Sequence, residues 1–169
     1  MIKKILPLII ITFTFSACKI NYSFTGASIA PGTETVSIQS FQNMAPIINP
    51  TLSMTFTEAM KDRFLSQTSL KLVQRDGDIQ FSGTITGYNT KPTAIQAGNV
   101  AVAAMNRLTI TIKVKYVNHQ DPKTDFDTNF SRYADYESSK NLQDVENQLI
   151  EEIIPQIVDD IFNKSVANW

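Results

Sequence analysis

Two stretches in which apolar residues or glycines alternate with polar residues constrain the fold of this chain most. One runs from Ile79 to Tyr88 and the other from Leu108 to Tyr116. Because successive side chains of a strand point to opposite faces, each stretch predicts a strand that buries one face. Gly83 and Gly87 fall on the predicted inward face of the first strand, where they leave room for a neighbouring side chain or helix. Tyr88 falls on the outward face.

A periodicity of three to four residues predicts two helices. The first begins near Thr51 or Ser53, either of which can cap it, and reaches about residue 66. The second begins near Ser139 or Asn141 and contains Pro155, which should kink it by removing one backbone donor. The apolar stripes comprise Leu52, Phe56, Ala59, Met60 and Phe64 in the first helix, and Leu142, Val145, Leu149, Ile153, Ile157, Ile161 and Phe162 in the second.

Three shorter apolar segments, at 36–38, 70–73 and 126–133, complete the predicted order β-α-β-β-β-β-α. Helices segregated against such a sheet indicate an α+β fold. We expect a two-layer sandwich, in which two helices pack on one face of a mostly antiparallel sheet of four to five strands. The core between the layers should bury Phe56, Met60, Phe64, Ile110, Ile112, Leu149 and Ile153.

The first residues predict a secretory signal that ends at a cysteine. Lys3 and Lys4 precede an apolar run over residues 5–15, which is shorter than the roughly 18–20 residues of a membrane-spanning helix. Phe15-Ser16-Ala17-Cys18 resembles the lipobox of bacterial lipoproteins, whose cysteine carries acyl chains that anchor the protein to a membrane. The predicted organisation is a signal peptide at 1–17, a tether at 18–33 and a single domain at 34–169.

Composition excludes several classes of function. One cysteine and one histidine, His119, are too few for a multi-cysteine or multi-histidine metal site. Fifteen Lys and Arg residues against 16 Asp and Glu residues give a net charge of −1, which disfavours a nucleic-acid partner. The adjacent carboxylates Glu151-Glu152 and Asp159-Asp160 diverge by about 100° around a helix, so neither pair converges on one bond. We therefore expect no catalytic residue, no metal and no cofactor, and hence no enzyme.

Two features could carry binding. Lys71, Arg75, Lys113 and Lys115 all point away from the predicted core, and they form a basic patch suited to phosphate groups if their strands are neighbours. The alternative is that these charges only solubilise an open sheet face. The uncharged segment Ala94–Asn106 lies between the two strongest strands and could insert into a partner or contact acyl chains, or it could be an inert hairpin loop.

Several segments together resemble one protein family. They are the lipobox, Ile47 to Phe64 (IINPTLSMTFTEAMKDRF), Asp78 to Tyr88 (DIQFSGTITGY), Asn106 to Ile110 (NRLTI), and the terminal Asp160 to Lys164 through Asn168-Trp169. This set is similar to the lipopolysaccharide-assembly lipoprotein family LptE, in its Bacteroidetes-type branch. The resemblance covers nearly the whole chain after the signal, and its motifs are structural rather than catalytic.

Such a resemblance implies a non-enzymatic outer-membrane lipoprotein that plugs the lumen of the LptD β-barrel, assists its folding and helps deliver lipopolysaccharide to the outer leaflet. It also implies two helices on a sheet of about four strands. Among functional residues, only Cys18 carries over. Because Lys19 rather than Asp follows Cys18, and no acidic run follows, we expect the domain to face the periplasm. The alternatives are a periplasmic lipid- or glycan-binding lipoprotein without a barrel partner, and an enzyme of unrecognised type.

Overall fold

A computed structural model describes residues 29–47, 49–93 and 104–166, which form six strands and two helices. The strands are β1 (Thr35–Ile38), β2 (Gln42–Asn43), β3 (Lys71–Val73), β4 (Ile79–Thr93), β5 (Met105–Asn118) and β6 (Phe126–Glu137). The helices are α1 (Leu52–Gln67) and α2 (Leu142–Val166), and a 3₁₀ turn at Pro122–Thr124 lies between β5 and β6. Every predicted helix and strand is present, and β2 is an additional element.

The sheet is mixed, with strand order β3-β1-β4-β5-β6 and with β2 beside β4. The three long strands β4, β5 and β6 pair antiparallel. In contrast, β1 runs parallel to both β3 and β4, and β2 runs parallel to β4. Since the chain passes through α1 between the adjacent strands β1 and β3, it crosses over and returns in the same direction. The α+β class is confirmed, but the sheet has about six strands and combines parallel with antiparallel pairing.

Both helices pack on one face of the sheet, as predicted. All seven residues expected in the core are buried, and they belong to one continuous apolar cluster. Phe64 of α1 joins the layers, because its ring centroid lies 4.8 Å from that of Phe81 in β4 and 5.2 Å from that of Phe162 in α2. At the other end of the core, the hydroxyl of the buried Tyr88 donates to a carboxylate oxygen of Glu146 in α2.

A bulge in β4 reverses the expected facing of two residues. Ile85 pairs with Ile112 of β5, whereas the next paired residue, Gly87, lies opposite Thr111, so Thr86 is an extra residue in the strand. One inserted residue shifts the two-residue period by one position. Gly87 is therefore on the outward face and Tyr88 is buried in the core, the reverse of the sequence-based prediction. Gly83 lies before the bulge and faces inward, as expected.

The start of α1 depends on a residue that the sequence pattern did not indicate. The side chain of Thr51 makes no cap hydrogen bond. Instead, Asn49 Oδ1 accepts hydrogen bonds from Thr51 N at 2.9 Å and from Leu52 N at 3.0 Å. A side-chain oxygen that accepts from otherwise unpartnered N–H groups stabilises the helix start. Asn49 thus provides the capping interaction expected of Thr51 or Ser53.

A second local contact fixes the beginning of β1 against the turn before β4. Asp78 Oδ2 accepts from the backbone N–H groups of Glu34 and Thr35, both at 2.9 Å, and from Thr35 Oγ1 at 2.7 Å. The hydrogen bond from Glu34 N is the largest of these effects, and together they lower the pKa of Asp78 from 3.8 to about 2. The ionised carboxylate is therefore favoured in the folded state.

We expect this contact to make the stability of the protein sensitive to acid. A folded-state pKa that is depressed contributes stability above the unfolded pKa, and that contribution disappears as the pH falls from about 4 towards about 2. Asp78→Asn should therefore be less stable than the wild type near neutral pH, and the difference should shrink over that acidic range. Urea unfolding as a function of pH measures both. A difference that does not change between pH 4 and pH 2 would contradict the assignment.

Candidate functional site

The face of the sheet opposite the helices is lined by polar side chains of all three long strands. We call it the polar sheet face. It is formed by Gln80, Ser82, Thr84, Asn89, Lys91 and Thr93 of β4, by Arg107, Thr109, Thr111, Lys113 and Lys115 of β5, and by Asp127, Asn129, Ser131, Tyr133, Asp135 and Glu137 of β6. These residues alternate along each strand with the buried ones, so the pleat presents them all on one side. No helix of the described ranges covers this face.

The middle of the polar sheet face is neutral, and charges lie towards its two ends. Thr111 Oγ1 and Ser131 Oγ are 3.0 Å apart across the β5–β6 pair. At one end, Lys113 Nζ lies 3.4 Å from Asp127 Oδ1, while Lys115 makes no ion pair with another described residue. Exposed pairs of this kind contribute little to stability. The cations are therefore available to a partner at small energetic cost to the fold.

At the opposite end, Arg107, Tyr133 and Asp135 form a compact group. Arg107 Nε and Nη2 donate to the two oxygens of Asp135 at 2.7 and 2.8 Å. The same guanidinium lies over the Tyr133 ring, with its central carbon 3.6 Å from the ring centroid. The hydrogen bonds with Asp135 raise the pKa of Arg107, and those from Arg107 lower the pKa of Asp135, so both groups remain charged. The arrangement holds a cation over an exposed aromatic ring.

The four cations predicted to form one patch lie in two places. Lys113 and Lys115 are exposed on β5, within the polar sheet face. Lys71 is on β3 at the edge of the sheet, and Arg75 follows that strand. Because β1 and β4 lie between β3 and β5, three strand spacings, or about 14 Å, separate Lys71 from the β5 cations across the sheet. The residues therefore form two separate pairs, and a single phosphate group cannot contact both.

Arg75 borders a groove of about 570 Å³ between the ends of β1 and β3 and the side of α1. The groove is lined by Ile38, Gln39, Ser40, Lys61, Leu72, Val73, Gln74 and Arg75. Its apolar side chains come from the strands, and its two cations, Lys61 and Arg75, come from opposite sides. Lys61 Nζ also lies 2.8 Å from Glu58 Oε1 on α1. Apolar walls beside cations suit an anionic amphiphile.

The remaining sequence candidates have structural contacts. Asp159 pairs with Arg63 of α1 at 3.2 Å, whereas Asp160 pairs with Arg132 of β6 at 2.6 Å, so these adjacent carboxylates point to different elements. His119 Nε2 lies 2.9 Å from Gln80 Nε2 in an exposed turn. In the part of the chain that the structure describes, no group of three or more His, Cys, Asp or Glu side chains could hold a metal ion.

Two predicted features lie outside the described residues: Cys18 with the rest of residues 1–28, and positions 94–103 of the Ala94–Asn106 segment. Met105 and Asn106, at the end of that segment, already belong to β5. Within the described ranges, no helix combines the length and the apolar character needed to cross a membrane.

Sequence reasoning overlooked Arg107 and Tyr133. Phe126 and Phe130 were assigned to the same strand as Tyr133, but they lie an odd number of positions from it. The two-residue period therefore places Tyr133 on the face opposite the two phenylalanines. This parity was the available signal, since an aromatic residue on a solvent-facing row is a candidate for binding.

Comparison with known families decides what kind of protein carries this surface. The sequence matches the family model LptE, described as lipopolysaccharide-assembly, over residues 33–165. The chain belongs to the LptE family. Membership agrees with a role in lipopolysaccharide assembly, and the matched region contains every strand and nearly all of α2. No curated protein matches the sequence.

Solved structures similar to this LptE-family chain share little sequence with it. The hypothetical protein CT253 from Chlamydia trachomatis is 10% identical, with a TM-score of 0.51 over 80% of this chain and 99% of that one. Rare lipoprotein B from Shewanella oneidensis is 11% identical, with a TM-score of 0.49 over 77% and 92%. Protein XCC0632 from Xanthomonas campestris is 12% identical, with a TM-score of 0.48 over 80% and 87%. The Chlamydia structure shows a likeness of fold alone.

Proposed function

We propose that this LptE-family chain is a non-enzymatic outer-membrane lipoprotein that plugs an LptD-type β-barrel and assists its assembly. In this role it takes part in the transport of lipopolysaccharide to the outer leaflet. Acyl chains on Cys18 anchor it, and the domain faces the periplasm. The partners are the barrel, lipopolysaccharide and the membrane.

The observation that carries this proposal is the polar sheet face. The interior of a large membrane barrel is polar and accessible to water, so a plug must present a polar surface to it on a rigid body. Three long paired strands supply the rigidity, and hydroxyl, amide and charged side chains supply the polarity. Thr109 and Thr111 lie at the neutral centre, and Lys113 and Lys115 lie on the same strand. These lysines are candidates for contact with the barrel or with lipid A phosphates.

The groove beside β3 favours a second candidate function. Leu72 and Val73 offer apolar surface, and Arg75 with Lys61 offers positive charge, which together match the acyl and phosphate parts of an anionic lipid. A lipid-binding lipoprotein without a barrel partner would use this groove and would leave the polar sheet face to solvent. Lys71, which precedes Leu72 on β3, belongs with this candidate.

Lipid attachment has its own test. We expect the native N-terminal residue to be Cys18 carrying acyl chains, because the sole cysteine stands at the predicted cleavage point. Mass spectrometry of the N-terminal peptide from membranes measures this directly. Cys18→Ser should release the protein from the membrane fraction, since attachment scales with the number of buried CH₂ groups. An unmodified N-terminus at another residue would contradict the assignment.

Purification from detergent-solubilised outer membranes tests the main proposal. We expect the tagged wild type to recover a large β-barrel. Lys113→Glu/Lys115→Glu should reduce recovery of the barrel or of lipopolysaccharide about tenfold, because each reversal turns an attraction of up to about 1 kcal/mol into repulsion. The loss should decrease as salt is raised. Lys71→Glu/Arg75→Glu tests the groove pair in the same way.

Lys123→Glu/Lys140→Glu is the matched control, since both lysines are exposed and lie outside the two surfaces. It changes the net charge equally and should recover both partners as the wild type does. Recovery of lipid without a barrel would favour the lipid-binding alternative. If both charge-reversed pairs recover both partners normally, the four cations only solubilise the protein.

A further inference from the structure

Tyr133 is the one large aromatic side chain on the polar sheet face, and it is 51% exposed. Its neighbours on that face are small hydroxyl or amide side chains and the charged pair Arg107–Asp135. Tyrosine and arginine dominate the residues whose truncation weakens protein interfaces, and they act from within a ring of weaker contacts. Tyr133 likewise lies beside an arginine and among small polar side chains that can make such weaker contacts.

The geometry fixes the group before any partner arrives. Arg107 is clamped by two hydrogen bonds to Asp135, at 2.7 and 2.8 Å, and by the Tyr133 ring beneath it. All three side chains project from the paired strands β5 and β6 near one end of the ladder, where Arg107 lies opposite Asp135. A side chain that is already ordered loses little entropy on binding, so its contacts translate more fully into affinity.

The charges and the hydrogen-bond donors of the group indicate what it would contact. A guanidinium has five N–H donors, of which Asp135 accepts two, and the side chain of Arg107 is 36% exposed. Lys91 of β4 lies directly opposite Arg107 on the other side, so two cations face one another across the pair. Asp135 and Glu137, both on β6 at this end of the face, offset the two positive charges. Asp135 leaves three of the five donors of Arg107 unused, so the complementary surface must supply hydrogen-bond acceptors, either carboxylates or carbonyl oxygens, beside a flat area that covers the ring.

We infer that Arg107, Tyr133 and Asp135 are the anchor through which the polar sheet face docks onto the inner wall of the partner β-barrel, and that the wall carries acceptor groups opposite Arg107 and Lys91. The inference rests on the proposed plug function. It goes further by naming the residues that dominate the contact and the chemistry of the surface that meets them. Lys113 and Lys115, at the opposite end of the face, supply weaker and salt-sensitive contacts.

A competition experiment tests this anchor. Wild type and variant, carrying different tags, are expressed together, and their ratio is measured in the barrel-bound fraction and in the total membrane. We expect Tyr133→Ala to be depleted from the barrel-bound fraction about tenfold or more, as truncation of an interface anchor requires. Arg107→Lys keeps the charge but loses the paired hydrogen bonds and the stacking, and it should also be depleted.

Leu65→Ala is the matched control, because Leu65 is a large apolar residue of nearly equal exposure, 49%, on the helix side of the molecule. It should compete as the wild type does. Thermal unfolding of each purified variant accompanies the competition and should show that Tyr133→Ala keeps the fold. If the wild type recovers no barrel, the plug function itself is overturned, and the anchor with it. If the wild type recovers the barrel and Tyr133→Ala competes equally, or is depleted no more than Leu65→Ala, only the anchor is overturned.

Discussion

Replacing Phe64 by alanine is expected to lower the free energy of unfolding by about 3–5 kcal/mol, the range for truncating a buried phenylalanine. Phe64 is completely buried between the other helix and the sheet. Its ring lies 4.8 Å from that of Phe81 and 5.2 Å from that of Phe162, measured between centroids. Removing the ring takes away its apolar contacts with the sheet and with α2 and leaves a cavity. Neither helix can move into that cavity without losing contact with the other helix.

Urea unfolding of wild type and variant measures this effect. The neighbouring Leu65 provides the control, because it is on the same helix and is half exposed. Leu65→Ala should change the free energy of unfolding by no more than about 0.5 kcal/mol, as is usual for surface substitutions. A loss below about 0.5 kcal/mol for Phe64→Ala would mean that the helices do not pack on the sheet as described.

Which residues face the core was predictable because, within each of these elements, the spacing of apolar residues in the sequence matches their burial in the structure. Ile110 and Ile112 alternate with threonines on β5, and Phe56, Met60 and Phe64 recur every four residues on α1. One periodic pattern per element is sufficient to assign an inward face. These assignments concern only local geometry, and all of them are confirmed.

Tyr88 shows where such reasoning fails. Alternation assigns it to the outward face, but the extra residue Thr86 shifts the period, and Tyr88 enters the core beside α2. A glycine inside a strand can mark either a bulge or a close approach of a neighbour, and β4 contains both Gly83 and Gly87, so the alternation alone does not locate the bulge. The extension of β4 to Thr93 was not predicted either. Lys91 and Pro92 are unusual in strands, but they are tolerated here because this end of β4 pairs only with β5 and is an edge on its other side.

The grouping of the four candidate cations depends on a different level of structure. The outward facing of Lys113 and Lys115 was predictable, but whether Lys71 joins them depends on the order of strands in the sheet. That order is set by the crossover through α1, which places β1 between β3 and β4. Patterns within a strand contain no information about its neighbours. The position of the polar sheet face could therefore be predicted, whereas the distribution of charge over it could not.

Gly83→Ala is expected to lower the free energy of unfolding by about 3 kcal/mol or more, the upper range for overpacking a filled core. Gly83 lies on the inward face of β4, directly opposite Val114 of β5. A Cβ at this position would overlap the backbone carbonyl oxygen of Lys113 and would lie 2.8 Å from Cε1 of the buried Phe41 ring. A backbone carbonyl in the middle of a paired strand cannot move without breaking its pairing, so the two strands would have to separate locally.

The second glycine of the strand supplies the control. A Cβ at Gly87 would overlap no backbone atom: it would lie 3.0 Å from Thr111 Cβ, 3.1 Å from Thr111 Oγ1 and 3.5 Å from Asn89 Nδ2, contacts that a displacement of a few tenths of an ångström relieves. Gly87→Ala should therefore cost clearly less than Gly83→Ala in urea unfolding, and equal losses would contradict the close approach of β4 to Lys113.

Because the strand that moves in Gly83→Ala is the one that carries Lys113 and Lys115, hydrogen exchange should also show faster opening of the β4–β5 pair around Lys113. The same substitution should then weaken recovery of the barrel without altering any residue of the polar sheet face, since the plug proposal requires that face to be rigid as well as polar.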